Sequence, residues 1–211
     1  MDNVSGFKIL TTPRGKTLEY FLGLPKNFDS AETYRTILAI PPGAQDKSEV
    51  EPYMPWIEHF TKRNWVMICP VAPDGKLFFQ GSERFLPYLM DLMQSELKLE
   101  GGKFHLLGVS NGGISSFRVA TLHPEQFHSL TVMPGWPKPA DENRLDRIVH
   151  IPINFVVGGE DVRWLKKSQE FTDTLKKMGA DVSLDVLPGE GHMAFRAVRF
   201  DKLEELLMRN C

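Results

Sequence analysis

The chain has 211 residues, of which 42% are hydrophobic and 25% are charged. These values are typical of a globular domain, and they exclude a collagen, a disordered tail and a cystine-rich toxin. The 25 Lys and Arg residues nearly balance 27 Asp and Glu, and the formal net charge of −2 argues against nucleic acid as a partner. Because the sequence contains no internal repeat or long polar linker, we expect residues 1–211 to form a single domain.

The sequence predicts a cytoplasmic protein. No uncharged apolar run approaches the roughly 20 residues that cross a bilayer, and we therefore expect no membrane span. The N-terminal residues lack the basic start and apolar stretch of a secretory signal. The two cysteines, Cys69 in an apolar run and the terminal Cys211, suit a reducing compartment.

The first part of the chain predicts a β-hairpin, in which strands 7–12 and 18–24 flank the turn-forming segment Pro-Arg-Gly-Lys at 13–16. Short apolar runs rich in Ile, Val and Leu follow. They show little alternation of polar and apolar residues, which is typical of strands covered on both faces. These predicted strands are 36–40, 65–69, 104–109, 129–133, 153–157 and 182–187.

Segments with helical periodicity lie between these strands. The first, 52–62, has a proline in its first turn and places Trp56, Ile57 and Phe60 on one side. The other predicted helices are 85–97, 111–122, 165–178 and 200–209. This alternation predicts an α/β fold, with a mostly parallel sheet covered by helices on both faces and preceded by the hairpin. In such sheets ligands bind beyond the carboxyl ends of the strands, so we expect the functional residues there.

The sequence Gly-Val-Ser-Asn-Gly at 108–112 follows a predicted strand and precedes a predicted helix. In this setting the serine occupies a sharp turn that exposes its hydroxyl group. The helix N-terminus also directs free N–H groups at an anion that forms beside the serine. We therefore predict Ser110 as a nucleophile, whereas Ser115 and Ser116, inside the helix, are better explained by packing.

A serine hydroxyl is a poor nucleophile without a general base, and the base needs an acidic residue to orient it. Asp161 follows the predicted strand 153–157, and His192 lies on a glycine-bounded loop after the last predicted strand. The order Ser, Asp, His along the chain is that of one of the three known triad arrangements. We predict that His192 is the base and that Asp161 orients it, with Glu160 as the alternative acid.

An oxyanion formed beside Ser110 would need two backbone N–H donors. Asn111, the residue after the predicted nucleophile, would supply one. The second would come from the loop after strand 36–40, which reads Pro-Pro-Gly-Ala-Gln. Because prolines have no N–H group, this donor is Gly43 or Ala44, and we favour Ala44.

These motifs resemble the α/β-hydrolase family, in its serine esterase and carboxylesterase branch. The resemblance is carried by LAIPPGA, GVSNGG, VVGGED, GEGH and LHPEQFHSL, and it extends over nearly the whole chain. It implies an α/β-hydrolase fold and hydrolysis of carboxylic esters or thioesters through an acyl-enzyme, without a cofactor. The chain has Pro42-Gly43 where the family often has His-Gly, and the interval 133–151 is too short for a large cap domain.

The substrate is less well defined by the sequence. The resemblance implies a small-molecule ester, and Trp136, Trp164 and Phe195 are candidates for an apolar pocket, although core packing explains each equally well. Arg163 is a candidate for binding a charged group. No Cys/His cluster has zinc spacing, so we predict no metal site. Amide or peptide hydrolysis and a non-catalytic ligand-binding role remain as alternatives, and the sequence leaves the oligomeric state open.

Overall fold

A computed structural model of the protein describes residues 5–209. The chain begins with the predicted antiparallel hairpin, formed by β1 (Gly6–Thr11) and β2 (Thr17–Gly23). The later strands are β3 (Thr33–Ile40), β4 (Trp65–Pro70), β5 (Lys98–Leu99), β6 (Phe104–Gly108), β7 (Phe127–Val132), β8 (Ile153–Gly158) and β9 (Val182–Leu187). All the predicted strands are confirmed, and only the two-residue β5 had no counterpart in the sequence pattern.

All five predicted helices are also confirmed. The α-helices are α1 (Met54–Lys62), α2 (Leu86–Glu96), α3 (Asn111–Leu122), α4 (Pro139–Glu142), α5 (Val162–Lys177) and α6 (Phe200–Met208). The short α4 was not predicted. Helix α1 begins two residues later than expected because the residues before it, Lys47–Tyr53, form a 3-10 helix. The Asp46 side chain caps that 3-10 helix by accepting a hydrogen bond from the Ser48 N–H.

The strands form one sheet in the order β1-β2-β4-β3-β6-β7-β8-β9, with β5 paired to β3. Strand β2 is antiparallel to both of its neighbours, whereas the pairs from β4 to β9 are parallel. The sheet is therefore mostly parallel, as predicted. Its geometry brings the carboxyl ends of β3, β6, β7, β8 and β9 to the same edge, where ligands bind in open α/β sheets.

Helices cover both faces of the sheet. Side chains on a strand alternate between the faces, and in β3 Leu38 and Ile40 belong to one hydrophobic cluster while Ile37 and Ala39 belong to another. Helices α2, α3 and α5 contribute to the first cluster, and α1 and α6 contribute to the second. Burial on both faces explains why these strands lack alternation in the sequence.

The connection between β7 and β8 contains only α4 and a 3-10 helix at Leu145–Ile148. It therefore holds no cap domain, as its length predicted. No helix within residues 5–209 is long and apolar enough to cross a membrane.

Candidate active site

Ser110 lies in the sharp turn between β6 and α3. Its backbone angles, φ 55° and ψ −117°, are ones that L-amino acids rarely adopt, and such strain costs about 1–3 kcal/mol. The turn is held by the Ser110 N–H, which donates a hydrogen bond of 3.0 Å to the Pro134 carbonyl oxygen in the loop after β7. The surrounding structure thus maintains the conformation that presents the Ser110 side chain.

Two glycines allow the first turn of α3 to pack directly against neighbouring backbone. A Cβ atom on Gly112 would overlap the carbonyl oxygens of Ile40 and Pro41, after β3. A Cβ atom on Gly113 would overlap the Pro134 carbonyl oxygen, after β7. Any side chain at either position would push these loops away, so the glycines fix the loops relative to Ser110.

The structure brings Ser110, His192 and Asp161 together. The Ser110 Oγ lies 2.9 Å from His192 Nε2, and His192 Nδ1 lies 2.6 Å from Asp161 Oδ2. Because an ionised carboxylate only accepts hydrogen bonds, Nδ1 carries the proton in neutral His192 and Nε2 accepts the serine hydroxyl proton. The side chain of His192 is 38% exposed and that of Asp161 is 12% exposed.

The loops that carry the acid and the histidine are bonded to each other. The Gly159 N–H donates to the Leu187 carbonyl oxygen, and the Glu160 N–H donates to the Glu190 carbonyl oxygen, each at 2.9 Å. Asp161 then stands directly before α5, with its side chain at His192. Of the two acids proposed from the sequence, Asp161 and not Glu160 therefore lies beside the imidazole.

The loop after β3 contacts the nucleophile turn through Asn111, whose Nδ2 donates a hydrogen bond of 2.9 Å to the Gly43 carbonyl oxygen. The peptide unit that contains the Gly43 carbonyl also contains the Ala44 N–H group. In a trans peptide these two groups point in opposite directions. Within residues 5–209, the backbone N–H groups of Ala44 and Asn111 donate to no protein acceptor. The two predicted oxyanion donors therefore have no protein acceptor in this part of the chain.

Gln45 anchors this loop, a role that sequence analysis missed. It is fully buried and has a φ of 58°, which is unusual for a residue other than glycine. Its side-chain Nε2 donates to Ser115 Oγ on α3, and its Oε1 accepts from the Phe78 N–H, both at 2.8 Å. Its only sequence signal was a polar side chain between two predicted elements, which does not distinguish an anchor from an exposed loop residue.

Aromatic rings form a wall beside the imidazole, and this wall consists of Trp136 and Trp164. The Trp164 ring centroid lies 4.8 Å from that of His192 and 4.1 Å from that of Trp136. Two of the three predicted pocket residues therefore lie near the reactive side chains. Phe79 is partly buried on the loop before α2, and its ring centroid lies 5.4 Å from the Lys138 Nζ.

The structure does not bring the third predicted pocket residue, Phe195, to the aromatic wall. Phe195 is buried and packs edge-on against Trp56 of α1, with ring centroids 5.7 Å apart. The 3-10 helix Ala194–Ala197 directs it to the opposite face of the sheet. There it helps to line a separate groove of about 800 Å³ beside α1.

The other histidines show packing roles. His105 is buried in β6, and desolvation lowers its pKa to about 3, while His59 stacks on Phe200 with ring centroids 4.6 Å apart. Within the part of the chain that the structure describes, no group of three or more His, Cys, Asp or Glu side chains is arranged to hold a metal ion.

The sheet order, the antiparallel β2 and the strained serine after a parallel strand together define the α/β-hydrolase fold, and this chain adopts it. Comparison with solved structures agrees. A thermostable esterase superposes with a TM-score of 0.78 and 14% identity over 96% of this chain. A ferulic acid esterase superposes with a TM-score of 0.76 and 14% identity, covering 97% of each chain.

A candidate dipeptidyl aminopeptidase IV from Bacteroides ovatus ATCC 8483 also superposes, with a TM-score of 0.77 and 14% identity over 99% of this chain. The chain spans 62% of the thermostable esterase and 36% of the aminopeptidase. No protein-family model matches the sequence, and the search of curated proteins finds no significant match. At these identities the likeness concerns the fold.

Proposed function

We propose that this protein is a serine hydrolase that cleaves carboxylic esters or thioesters through an acyl-enzyme. The observation that carries the proposal is the hydrogen-bonded chain from Ser110 Oγ through His192 to Asp161, at the carboxyl edge of the sheet. The fold shared with solved esterases supports the same reaction class. Each member of the chain has the neighbour that its proposed role needs.

In the acylation step, Ser110 Oγ forms a bond to the ester carbonyl carbon while His192 Nε2 accepts the hydroxyl proton. The carbonyl π electrons move onto the oxygen, and the resulting oxyanion accepts hydrogen bonds from the backbone N–H groups of Asn111 and Ala44. Asp161 stabilises the imidazolium that forms. When the intermediate collapses, the alcohol or thiol leaves with the proton from His192, and an acyl-serine remains.

In the deacylation step, water attacks the acyl carbon and gives a proton to His192. The second tetrahedral intermediate collapses, Ser110 Oγ leaves and recovers its proton from His192, and the carboxylic acid is released. The exposure of the His192 side chain gives water access to the base. No step requires a cofactor, because proton transfer and two acyl transfers account for all the atoms and charges.

The first test of this proposal is labelling by a fluorophosphonate probe together with hydrolysis of 4-nitrophenyl acetate. The Ser110→Ala variant should lose labelling, and its kcat should fall by about 10⁶-fold, as when the triad serine is removed from a serine protease. The matched control is Ser95→Ala, which removes an exposed serine hydroxyl that bonds only within α2. Full labelling and turnover in Ser110→Ala would refute the assignment of the nucleophile.

The second test separates ester hydrolysis from the two alternative functions. The protein is assayed with an acyl ester, the corresponding thioester and the corresponding anilide. Turnover of the oxygen and sulfur esters at rates far above that of the anilide supports the proposal. A preference for the anilide would favour amide or peptide hydrolysis, and binding of a ligand without any probe labelling would favour a non-catalytic role.

A further inference from the structure

Two cationic side chains lie against the aromatic wall beside His192. The Lys138 Nζ is 5.8 Å from the Trp136 ring centroid and 5.4 Å from that of Phe79. The Arg163 Cζ is 5.8 Å from the Trp136 ring centroid. Both charges therefore converge on one tryptophan, whose neighbour Trp164 contacts His192.

Within residues 5–209, neither Lys138 nor Arg163 forms an ion pair or donates a side-chain hydrogen bond. Two arginines in this region are neutralised by an acidic side chain. Arg118 and Arg144 both pair with the buried carboxylate of Asp141, three residues after Lys138. Asp161, two residues before Arg163, is bonded to His192. The two positive charges on the wall are thus left without a protein anion.

The segments that carry these cations are also the segments that position the reactive groups. Lys138 lies four residues after Pro134 on the same loop. The Pro134 carbonyl oxygen accepts the hydrogen bond from the Ser110 N–H. Arg163 lies in the first turn of α5, which begins directly after Asp161. Both cations therefore stand on segments that adjoin the Ser110 turn and Asp161.

This arrangement suits the binding of an anion. Stacking against Trp136 orders the cationic side chains while leaving their N–H groups free, since an aromatic face accepts no conventional hydrogen bond. A guanidinium can hold a carboxylate through two parallel hydrogen bonds, and an ammonium adds a further charge. Hydrogen bonds that involve a charged group are also stronger than those between neutral groups.

We propose that Lys138 and Arg163 form a subsite for a carboxylate on the substrate, so that the enzyme prefers esters that carry an anionic group. This inference rests on the proposed function, because Ser110 must act on the ester bond of the same molecule. The uncharged part of the substrate would lie along Trp136 and Trp164, between the carboxylate and the reacting carbonyl.

The experiment compares matched anionic and neutral substrates. One pair places the charge on the acyl side, mono-4-nitrophenyl adipate against its methyl ester, and the other places it on the leaving group, 4-acetoxybenzoate against methyl 4-acetoxybenzoate. We expect kcat/KM to be about tenfold to hundredfold higher for the anion in at least one pair, from one charge-assisted hydrogen bond. The preference should fall as salt is raised, because the subsite is exposed.

The Lys138→Gln/Arg163→Gln variant tests the residues themselves. It should lose the preference for the anion while hydrolysis of the neutral ester and fluorophosphonate labelling continue. The control is Lys176→Gln/Lys177→Gln, which removes two charges about 20 Å along α5 from Arg163 and should keep the preference.

The outcomes separate this inference from the proposed function. Equal rates for both members of both pairs, with normal labelling of Ser110, would overturn the carboxylate subsite and leave the hydrolase proposal intact. A preference that survives in the Lys138→Gln/Arg163→Gln variant would overturn the assignment to these two residues. Absence of labelling and of turnover with every ester would refute the hydrolase proposal and the subsite with it.

Discussion

Residues 5–209 contain two hydrogen-bonded Ser–His pairs of the same length, and the pairs differ in proton direction and in surroundings. Ser110 Oγ lies 2.9 Å from His192 Nε2 at the carboxyl edge of the sheet. Ser129 Oγ also lies 2.9 Å from a histidine nitrogen, His105 Nδ1, but this pair joins the middle of β7 to β6 in the interior.

The two pairs differ in which side chain donates the hydrogen bond. Ser129 donates its only hydroxyl proton to the Leu207 carbonyl oxygen at 3.1 Å, so the His105 Nδ1–H must donate to Ser129. In the other pair Asp161 accepts from His192 Nδ1, which leaves Nε2 to accept the Ser110 proton. His105 therefore cannot act as a base toward Ser129, whereas His192 can act as one toward Ser110.

The surroundings differ as well. Burial lowers the pKa of His105 to about 3, since a charged imidazole is poorly solvated inside the protein. His192 is partly exposed and has the Asp161 carboxylate as its hydrogen-bond partner. A short Ser–His distance is therefore not sufficient for nucleophilic catalysis, which also requires a carboxylate, solvent access and nearby N–H donors.

Among the changes that test the difference between the two pairs, removal of the Asp161 carboxylate should have the largest effect. Asp161→Asn should lower kcat by about 10⁴-fold, because an amide no longer favours the Nδ1–H tautomer or stabilises the imidazolium. Steady-state kinetics with 4-nitrophenyl acetate measures the change. Glu160→Gln, which alters the adjacent exposed acid, should remain within about twofold of the wild type. Equal losses in the two variants would contradict the role of Asp161.

The next prediction tests whether turnover also depends on the backbone N–H donors beside Ser110. Gln45→Ala removes the link between the Ala44 loop and Ser115 on α3. Loss of one oxyanion donor costs 10²–10³ in kcat, and a loosened donor should cost less, about tenfold to hundredfold. KM should change little, since the donors act mainly in the transition state. Gln80→Ala, at an exposed position, is the control, and an unchanged kcat in Gln45→Ala would exclude an anchoring role.

Disruption of the interior pair should lower the stability of the protein without changing its turnover. Ser129→Ala leaves the Nδ1–H of buried His105 without its acceptor, and it should lower the free energy of unfolding by about 1–3 kcal/mol. Urea unfolding measures the loss, and kcat/KM of the folded variant should equal that of the wild type. A large fall in kcat/KM with unchanged stability would invalidate the distinction between the pairs.

The smallest expected effect is the contribution of His105 to the pH dependence of stability. Unfolded His105 takes up a proton near its ordinary pKa of 6.5, whereas the folded residue does so only near pH 3. The unfolded state therefore binds more protons between these values, and stability falls as the pH drops below about 6.5. We expect His105 to account for about 1 kcal/mol between pH 7 and pH 5.5. Urea unfolding of His105→Gln at both pH values should show a smaller decrease than the wild type, and an equal decrease would contradict this expectation.

The sequence was most informative where chemistry and backbone geometry coincide. Ser110, Asp161 and His192 each lie on the loop after a predicted parallel strand, and the carboxyl ends of such strands meet at one edge. Their approach to one another therefore followed from the order of the elements. The sequence supported the choice of Asp161 over Glu160 less strongly. The two acids are adjacent on one loop, and the sequence does not show which side chain points toward the histidine.

What the sequence by itself determined is the layered fold and the loops at which reactive residues gather, because apolar patterns and turn residues act over short distances along the chain. Only the tertiary structure decided that Gln45 anchors the Ala44 loop to Ser115, 70 residues away. It likewise directed Phe195 to α1 and placed the cations of Lys138 and Arg163 on Trp136. These contacts depend on how distant segments are rotated and packed against each other, and local sequence patterns do not encode that arrangement.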